Sequence, residues 1–511
     1  MRIKQKPEDF SVKESYRFDE DAEGPYRVYM MDKQKLSTFD AIAIIRERFG
    51  LRPGSVSYCG LKDKQGRTEQ LIAVDGADVD MQEENLRLKF LGRTNKALSS
   101  KNTTSNRFSV TVRALKQPEL SALNVATAEV NRLGVINYFD SQRFGSLKHG
   151  QGFIAKDLLR GDFEAALRNY LAKPSPLDQS EDAKVKAFWQ EHWGDWFKKC
   201  PFAASKKYYR IISALRDDPK DFVKAFLQID SDYRALLIFT YQSYLWNEGV
   251  RRLLQLTFPR EHLFPMPYQA GTLLFHKDSS GDSLDFLRSV QFPLLAPNSP
   301  PLTGRVKEAV DWVFGKEHLT LDKLRIEAAP RLLYFKHEER PVLIYPEKLV
   351  LGKVSPDELN KPYLKLNIAF TLPPGSYATL VVKRLFQASY SDKEHKHVPA
   401  EKYLGKKPHE PPARTGRGAR MGTLGTKSLT PGTPPRSLRP DPAPADAPPR
   451  TRGVGPRSAE TPRTRGGART GTMSLTPDAE VAKPSKLQGF RARQAEKKER
   501  TRRARAHNKT P

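Results

Sequence analysis

SVSYCGLKDKQGRTEQLIAV, residues 55–74, reads as a strand, a charged loop and a second strand. The flanks, SVSYCG (55–60) and EQLIAV (69–74), carry the β-branched and aliphatic residues of a half-buried sheet. Between them Asp63 is bracketed by Lys62, Lys64 and Arg67. Nearby cations favour an ionised carboxylate, as a nucleophilic or electrostatic role requires. Gly60 and Gly66 permit tight backbone geometry. The loop is either a site built around Asp63 or an ordinary charged turn at the surface.

The pattern extends in both directions from this loop. Upstream, PYRVYMMDK (25–33) reads as a strand. A helix follows, with Ser37 or Thr38 as N-cap, Ala41, Ile44, Ile45 and Phe49 at helical spacing, and Gly50 as its stop. Downstream, LRLKFLG (86–92) and RFSVTVRAL (107–115) are strand-like, and a helix runs from Pro118 to Gly134. Strands and helices alternate without a βαβ rhythm, which favours an α+β sheet with helices packed on it. From about 150 to 340 the chain reads as mostly helical, with ALLIFTYQSYLWNEGVRRLLQL (235–256) the longest apolar-periodic stretch. Strand signals then return in PVLIYP (341–346), LKLNIAFTLP (364–373) and YATLVVKRLF (377–386). A mixed region interrupted and resumed implies an inserted domain.

Composition separates a tail from this body. The chain has 511 residues and a net charge of +28. Residues 391–511 hold 28 Lys+Arg and 11 Asp+Glu, so +17 of that excess lies there. The tail also has 17 of the 39 prolines but only two aromatics, Tyr403 and Phe490. Such a segment buries too little apolar surface to offset the entropy of ordering, and is expected to be disordered. It reads either as a basic arm for a polyanion or as a solvated, solubilising tail. Two cysteines exclude a disulfide framework and a cysteine-based zinc site. Apolar runs of about five residues exclude a membrane-spanning helix. The start, MRIKQKPEDF, lacks a signal peptide's apolar stretch, so a soluble protein of a reducing compartment is expected. No P-loop, G-x-S-x-G or H-E-x-x-H motif occurs, and nothing requires a metal or a nucleotide cofactor.

Two further segments stand out. NYFDSQRFG (137–145) packs three aromatics, two amides and an arginine into nine residues. Rings beside amide and guanidinium groups suit an unstacked base, and equally suit a core-anchoring turn. GSYAT (375–379) is a tight turn leading into an element read as a strand.

Taken in order, these segments resemble the TruD family of tRNA pseudouridine synthases. KQKPEDFSVKE (4–14) is similar to the family's K-x-x-P-E-D-F-x-V-x-E, and GLKDKQGRTEQ (60–70) to its catalytic G-x-K-D-x-x-A-x-T-x-Q. NYFDSQRFG resembles N-Y-F-G-x-Q-R-F-G, and LPPGSYAT (372–379) resembles L-P-x-G-S-[YF]-A-T. The resemblance implies a mixed, mainly antiparallel sheet with packed helices, interrupted by a TruD-type insertion. The domains expected are a catalytic domain in two parts, 1–159 and 341–390, an insertion at 160–340, and the tail at 391–511. It implies a cytoplasmic isomerase of uridine in tRNA, acting at position 13 without cofactor or metal, with Asp63 as nucleophile. Phe10, Asn137 and Tyr377 are implied to line the base pocket: two rings offer faces to uracil, and the amide matches its edge. Lys4 matches a family lysine and lies either beside the catalytic carboxylate or in solvent.

The departures are specific. Gly66 stands where the family usually has alanine, a change expected only to loosen the loop. Asp140 replaces a glycine, a residue free to take positive φ, which aspartate tolerates at some cost, and it adds a carboxylate that repels phosphate unless Arg143 pairs with it. Arg340 resembles a basic residue where the chain re-enters the catalytic domain, and is either a phosphate contact or a surface arginine. A weakly catalytic RNA-binding protein or chaperone on the same fold is the rival reading. Asp63 with Lys62, Thr68 and Gln70 favours the enzyme.

Overall fold

A computed structural model describes residues 1–387 apart from 148–151, 176, 177, 179 and 278–280. The tail reading for 391–511 lies outside the described residues. Six strands come from the first 115 residues: β1 (Phe10–Tyr16), β2 (Tyr26–Gln34), β3 (Val56–Tyr58), β4 (Arg67–Asp75), β5 (Leu86–Thr94) and β6 (Thr103–Leu115). With Glu347–Leu351, Leu364–Leu372 and the short Ser355–Pro356 they form one nine-stranded sheet. Its order runs Glu347–Leu351, Leu364–Leu372, β6, β1, β4, β2, β5, with β3 beside β4. Only β1 and β4 pair in parallel; the other ladders of this sheet are antiparallel.

Alternation along the strands sets the two faces. Tyr29, Met31, Ile72, Val74, Leu86 and Leu88 point to one side, where Ile42 and Ile45 of α1 (Thr38–Phe49) cover them. Ser37 caps α1 by accepting from Asp40 N (3.0 Å), while Asp40 accepts from Ser37 N (3.2 Å). Gly50 ends the helix at φ 63°, a conformation in which glycine avoids the penalty of a Cβ. Phe10, Val12, Val110, Val112, Ile368 and Phe370 belong to the larger core, shared with the helices of 123–385.

The middle of the chain is helical as read, and its longest helix spans 27 residues, Ser231–Thr257. It also carries a hairpin that the sequence reading passed over, Leu263–Tyr268 with Gly271–His276. Two short ladders then bring distant segments together. Gln291–Leu294 pairs with Glu338–Pro341, and Val135–Ile136 pairs with Leu343–Ile344. Asn137 and Arg340 thereby become neighbours across 203 residues.

One element differs from its reading. YATLVVKRLF was read as a strand, yet Ala378–Leu385 is a helix. Ala378, Val381, Val382 and Leu385 recur at i, i+3, i+4 and i+7 and are all buried, so packing of that stripe overrides the β-branched composition. Among the described residues no helix is long and apolar enough to cross a membrane.

Candidate active site

Asp63 sits in the loop between β3 and β4 and is 8% exposed. Its Oδ1 accepts from Gln65 N at 2.8 Å, and its Oδ2 is ion-paired with Lys4. The cations that bracket it in sequence do not serve it. Lys62 pairs with Glu14 (2.6 Å), Lys64 with Asp40 (3.1 Å), and Arg67 with both oxygens of Asp32 (2.7 and 3.2 Å). The countercharge comes instead from the N-terminus, because successive side chains of a short loop diverge while a neighbouring segment can aim one inward.

Lys4 reaches this position from an unusual backbone, with φ 60°. The segment is fixed on both sides. Arg2 and Arg113 exchange backbone hydrogen bonds at 2.8 Å, and Asp9 accepts from Lys6 N at 2.9 Å. Lys4 Nζ also lies 4.1 Å from the centroid of the Phe10 ring, in cation–π range. Phe10 itself is buried and continues into a chain of rings, Phe10 to Phe108 (6.1 Å) to Phe370 (5.7 Å). Lys4, Phe10 and Asp63 therefore form one cluster.

The loop is held from beneath by groups that sequence reasoning missed. Glu14 is buried and accepts from Lys62 Nζ, Thr103 Oγ1 (2.7 Å) and Leu71 N (2.8 Å). Thr38 Oγ1 accepts from Lys62 N (3.0 Å) and donates to Gln70 (2.9 Å), which donates in turn to Gly60 O (3.1 Å). Lys33 is 0% exposed, and burial lowers its ammonium to about 8 against the opposing pull of Asp63. The signal for two of these was present: Glu14 and Lys33 occupy inward positions of alternating strands, after Phe10 and Val12 and after Tyr29 and Met31. Gly66 is not merely looser than alanine. A Cβ there would stand 2.3 Å from Phe10 O, so the loop packs directly on the β1 backbone. Cys59 is buried, which pushes its thiol up to about 12.

Asn137 and Tyr377 form a second cluster around two arginines. Asn137 is 2% exposed; its Oδ1 accepts from Arg340 (2.7 Å) and its Nδ2 donates to Pro341 O (3.1 Å). Arg340 also donates to Asn137 O (2.9 Å) and Gly375 O (3.0 Å), and lies 4.3 Å from the Phe139 ring centroid. It is neither at the surface nor ion-paired among the described residues, and burial lowers it to about 10. Tyr377 is half-buried, accepts from Arg143 Nε (3.0 Å) and meets Phe139 edge to face (6.1 Å). No hydrogen bond, ion pair or ring contact among the described residues joins this cluster directly to Asp63. The link is the sheet: Phe370 leads along its strand to the turn at Gly375.

Asp140 is accommodated without strain where the family usually has glycine. It has no positive φ, and its partner is Lys383 (2.6 Å), not Arg143. Burial alone raises its pKa, but the ammonium and Ser141 N outweigh that and hold it low. The carboxylate is thus neutralised inside the fold, not presented to solvent. Among the described residues no three His, Cys, Asp or Glu side chains converge as a metal site.

The sequence model of one family, tRNA pseudouridine synthase D (TruD), matches residues 1–385. The chain belongs to the TruD family. Its span ends with the last residue of the Ala378–Leu385 helix, so it takes in both clusters. The tRNA pseudouridine synthase D of Aquifex aeolicus is 32% identical over 397 residues, 76% of this chain and 98% of its own. "Probable tRNA pseudouridine synthase D 2" of Methanocaldococcus jannaschii is 32% identical over 393 residues, 76% and 92% of the two chains. A solved structure named for TruD, from Methanosarcina mazei, superposes with a TM-score of 0.52 at 25% identity. It covers 75% of this chain and 93% of that one. The mixed, mainly antiparallel sheet with packed helices is the TruD architecture.

Proposed function

We propose that this chain converts uridine to pseudouridine in tRNA, at position 13, with Asp63 as the nucleophile. The observation that carries the reading is the buried Asp63 carboxylate, paired with Lys4 beside the Phe10 ring in the family's catalytic motif. The conversion breaks the bond from ribose C1′ to N1, forms one from C1′ to C5, and exchanges the C5 proton for one on N1. Atoms and electrons balance within the nucleotide, so no co-reactant enters. Lys4 is the ion-pair partner of the carboxylate where bond exchange takes place, at the sugar or the ring. The target base leaves its stack to reach Asp63, at about a few kcal/mol that pocket contacts offset. Phe10 and Tyr377 supply ring faces. Asn137, already bonded on both sides, is a pre-set amide with one lone pair and one N–H left for the base edge.

The same reading assigns 1–159 and 341–390 to the catalytic domain and 160–340 to the TruD insertion. The return of Leu364–Leu372 to the sheet beside β6 supports that division. It places the enzyme in the cytoplasm, and gives the basic tail a nonspecific part in RNA binding.

The test is Asp63→Ala in the full chain, assayed on a tRNA transcript by carbodiimide adduct formation and primer extension. The wild type is expected to give a stop at position 13, and the variant none, with tRNA affinity within about threefold of wild type. Turnover surviving in Asp63→Ala would remove the nucleophile assignment; a stop elsewhere would remove the position.

A further inference from the structure

Lys33 ends the inward row of β2, after Tyr29 and Met31, in a place where the alternation calls for an apolar side chain. It is fully buried and has no carboxylate at ion-pair distance among the described residues. Burial of an ammonium is unfavourable unless its protons are hydrogen-bonded, and methionine fills much the same volume without that penalty. What the amine does and a thioether cannot is grip main chain. Its Nζ donates to Leu36 O at 2.8 Å, just ahead of α1, and to Asp63 O at 3.0 Å.

The remaining anchors of the loop act elsewhere on it. Glu14 and Thr38 hold Lys62, Gln70 holds Gly60, Asp40 holds Lys64 and Asp32 holds Arg67. Lys33 donates to the carbonyl of the catalytic residue itself. Asp63 has a short side chain with two rotatable bonds, so fixing its main chain fixes the arc its carboxylate can sweep. Within that arc Gln65 N and Lys4 select one orientation.

We infer that Lys33 is a positioning residue of the isomerisation: by tying the carbonyl of Asp63 to β2 and to the start of α1, it aims the carboxylate at the reacting nucleotide. This rests on Asp63 being the nucleophile. The hydrogen bonds give the inference a signature, because turnover responds to the change far more strongly than stability does. Lys33→Met removes an unfavourably buried charge and retains the packing but leaves Leu36 O and Asp63 O without this donor, so the opposing effects are expected to leave the melting temperature within a few degrees of wild type. Lys33→Met also frees the Asp63 main chain, and a displacement of about 1 Å at a reacting group lowers turnover on the order of 100-fold.

The experiment compares wild type, Lys33→Met, Lys33→Gln and Asp63→Ala as full chains on one tRNA transcript. Single-turnover rate, tRNA affinity and melting temperature are measured for each. The expected result is a rate lowered by about 100-fold in Lys33→Met and less in Lys33→Gln, which keeps one donor group. Affinity stays within about threefold, and the melting temperature stays within a few degrees of wild type. If Lys33→Met fails to fold, Lys33→Gln decides by the same criteria. A rate within about threefold of wild type overturns the inference, as does a loss of rate that follows a loss of melting temperature. Turnover in Asp63→Ala instead overturns the nucleophile assignment, whatever the Lys33 variants do.

Discussion

Lys383→Met is expected to lower the stability of the fold by about 3–5 kcal/mol, as removal of one partner of a buried ion pair does. Loss of a surface lysine costs only about 0–1 kcal/mol. The larger figure applies because Asp140 is 2% exposed and receives Lys383 Nζ at 2.6 Å. Without the ammonium it retains only neutral donors, Ser141 N at 2.8 Å and the neighbouring Thr379 hydroxyl, for a buried charge. Asp140→Gly, which restores the residue usual in the family's motif, leaves Lys383 bonded to Pro267 O at 3.3 Å. Its cost lies lower in the range, since the Lys383 side chain is 11% exposed and can turn toward water. Asp140→Asn, made alone and together with Lys383→Met, completes a cycle: the double variant removes both charges and is expected to lose less than the sum of Asp140→Asn and Lys383→Met by about 2–3 kcal/mol. Urea unfolding followed by tryptophan fluorescence and circular dichroism measures the cycle, provided the two probes coincide. pH supplies an independent arm. The folded pKa of Asp140 is depressed, so its contribution is full above the unfolded carboxyl value, about 3.9, and fades as pH falls below it. Wild type and Lys383→Met should therefore converge in stability as pH falls through the depressed folded value. Additivity of the single changes within about 0.5 kcal/mol would refute the coupling, and with it the role of this pair in holding 137–145 to the last helix.

Two other changes test different parts of the site. Arg340→Lys keeps the charge but cannot span Asn137 O, Asn137 Oδ1 and Gly375 O, three acceptors at 2.9, 2.7 and 3.0 Å. Losing even one such bond lowers kcat/KM by about tenfold or more, which steady-state assays on the tRNA transcript would read. His276 is buried with its pKa lowered to about 4 by burial, and its Nε2 lies 3.2 Å from Leu133 O. The unfolded chain takes up a proton near pH 6.5 that the folded chain refuses, so stability falls as pH drops from 6.5 toward 4, by about 2 kcal/mol at pH 5. His276→Gln should flatten that slope between pH 7.5 and 5; an unchanged slope would move the effect to another group.

The elements of the first 115 residues were legible because each announces itself locally. Alternation marks β1 to β6, and Ser37 with Asp40 and Gly50 brackets α1. The Ala378–Leu385 helix was misread because threonine, leucine and two valines in succession look like a strand, although the stripe of Ala378, Val381, Val382 and Leu385 fits a helix. The loop that carries Asp63 was found by its motif, but its electrostatics were not. Lys62, Lys64 and Arg67 stand within four residues of Asp63, and all three are bonded to other acids. Its partner stands 59 residues upstream. Arg340 was ambiguous for the same reason: only the ladders at 291–294 and 343–344 bury it against Asn137.

Proximity along a chain is thus a poor guide to which charge acts on which, while position on a strand is a better one. A charged residue on the inward face of an alternating strand has to be bonded to something, because the fold gains nothing by burying it alone. Glu14 and Lys33 both meet that description, and both are bonded to the loop that carries Asp63. The acid holds the side chain of Lys62 and the lysine holds the backbone of Asp63, so β1 and β2 each send one charge inward to fix consecutive residues of the loop. Neither strand needs those charges to form: Val12 and Met31 beside them supply the apolar face. Lys33 is explained by the loop and not by the sheet, which is why an apolar replacement there should separate stability from turnover where one at Met31 should not; Glu14 also holds Leu71 N and Thr103 Oγ1, and its replacement should lower both.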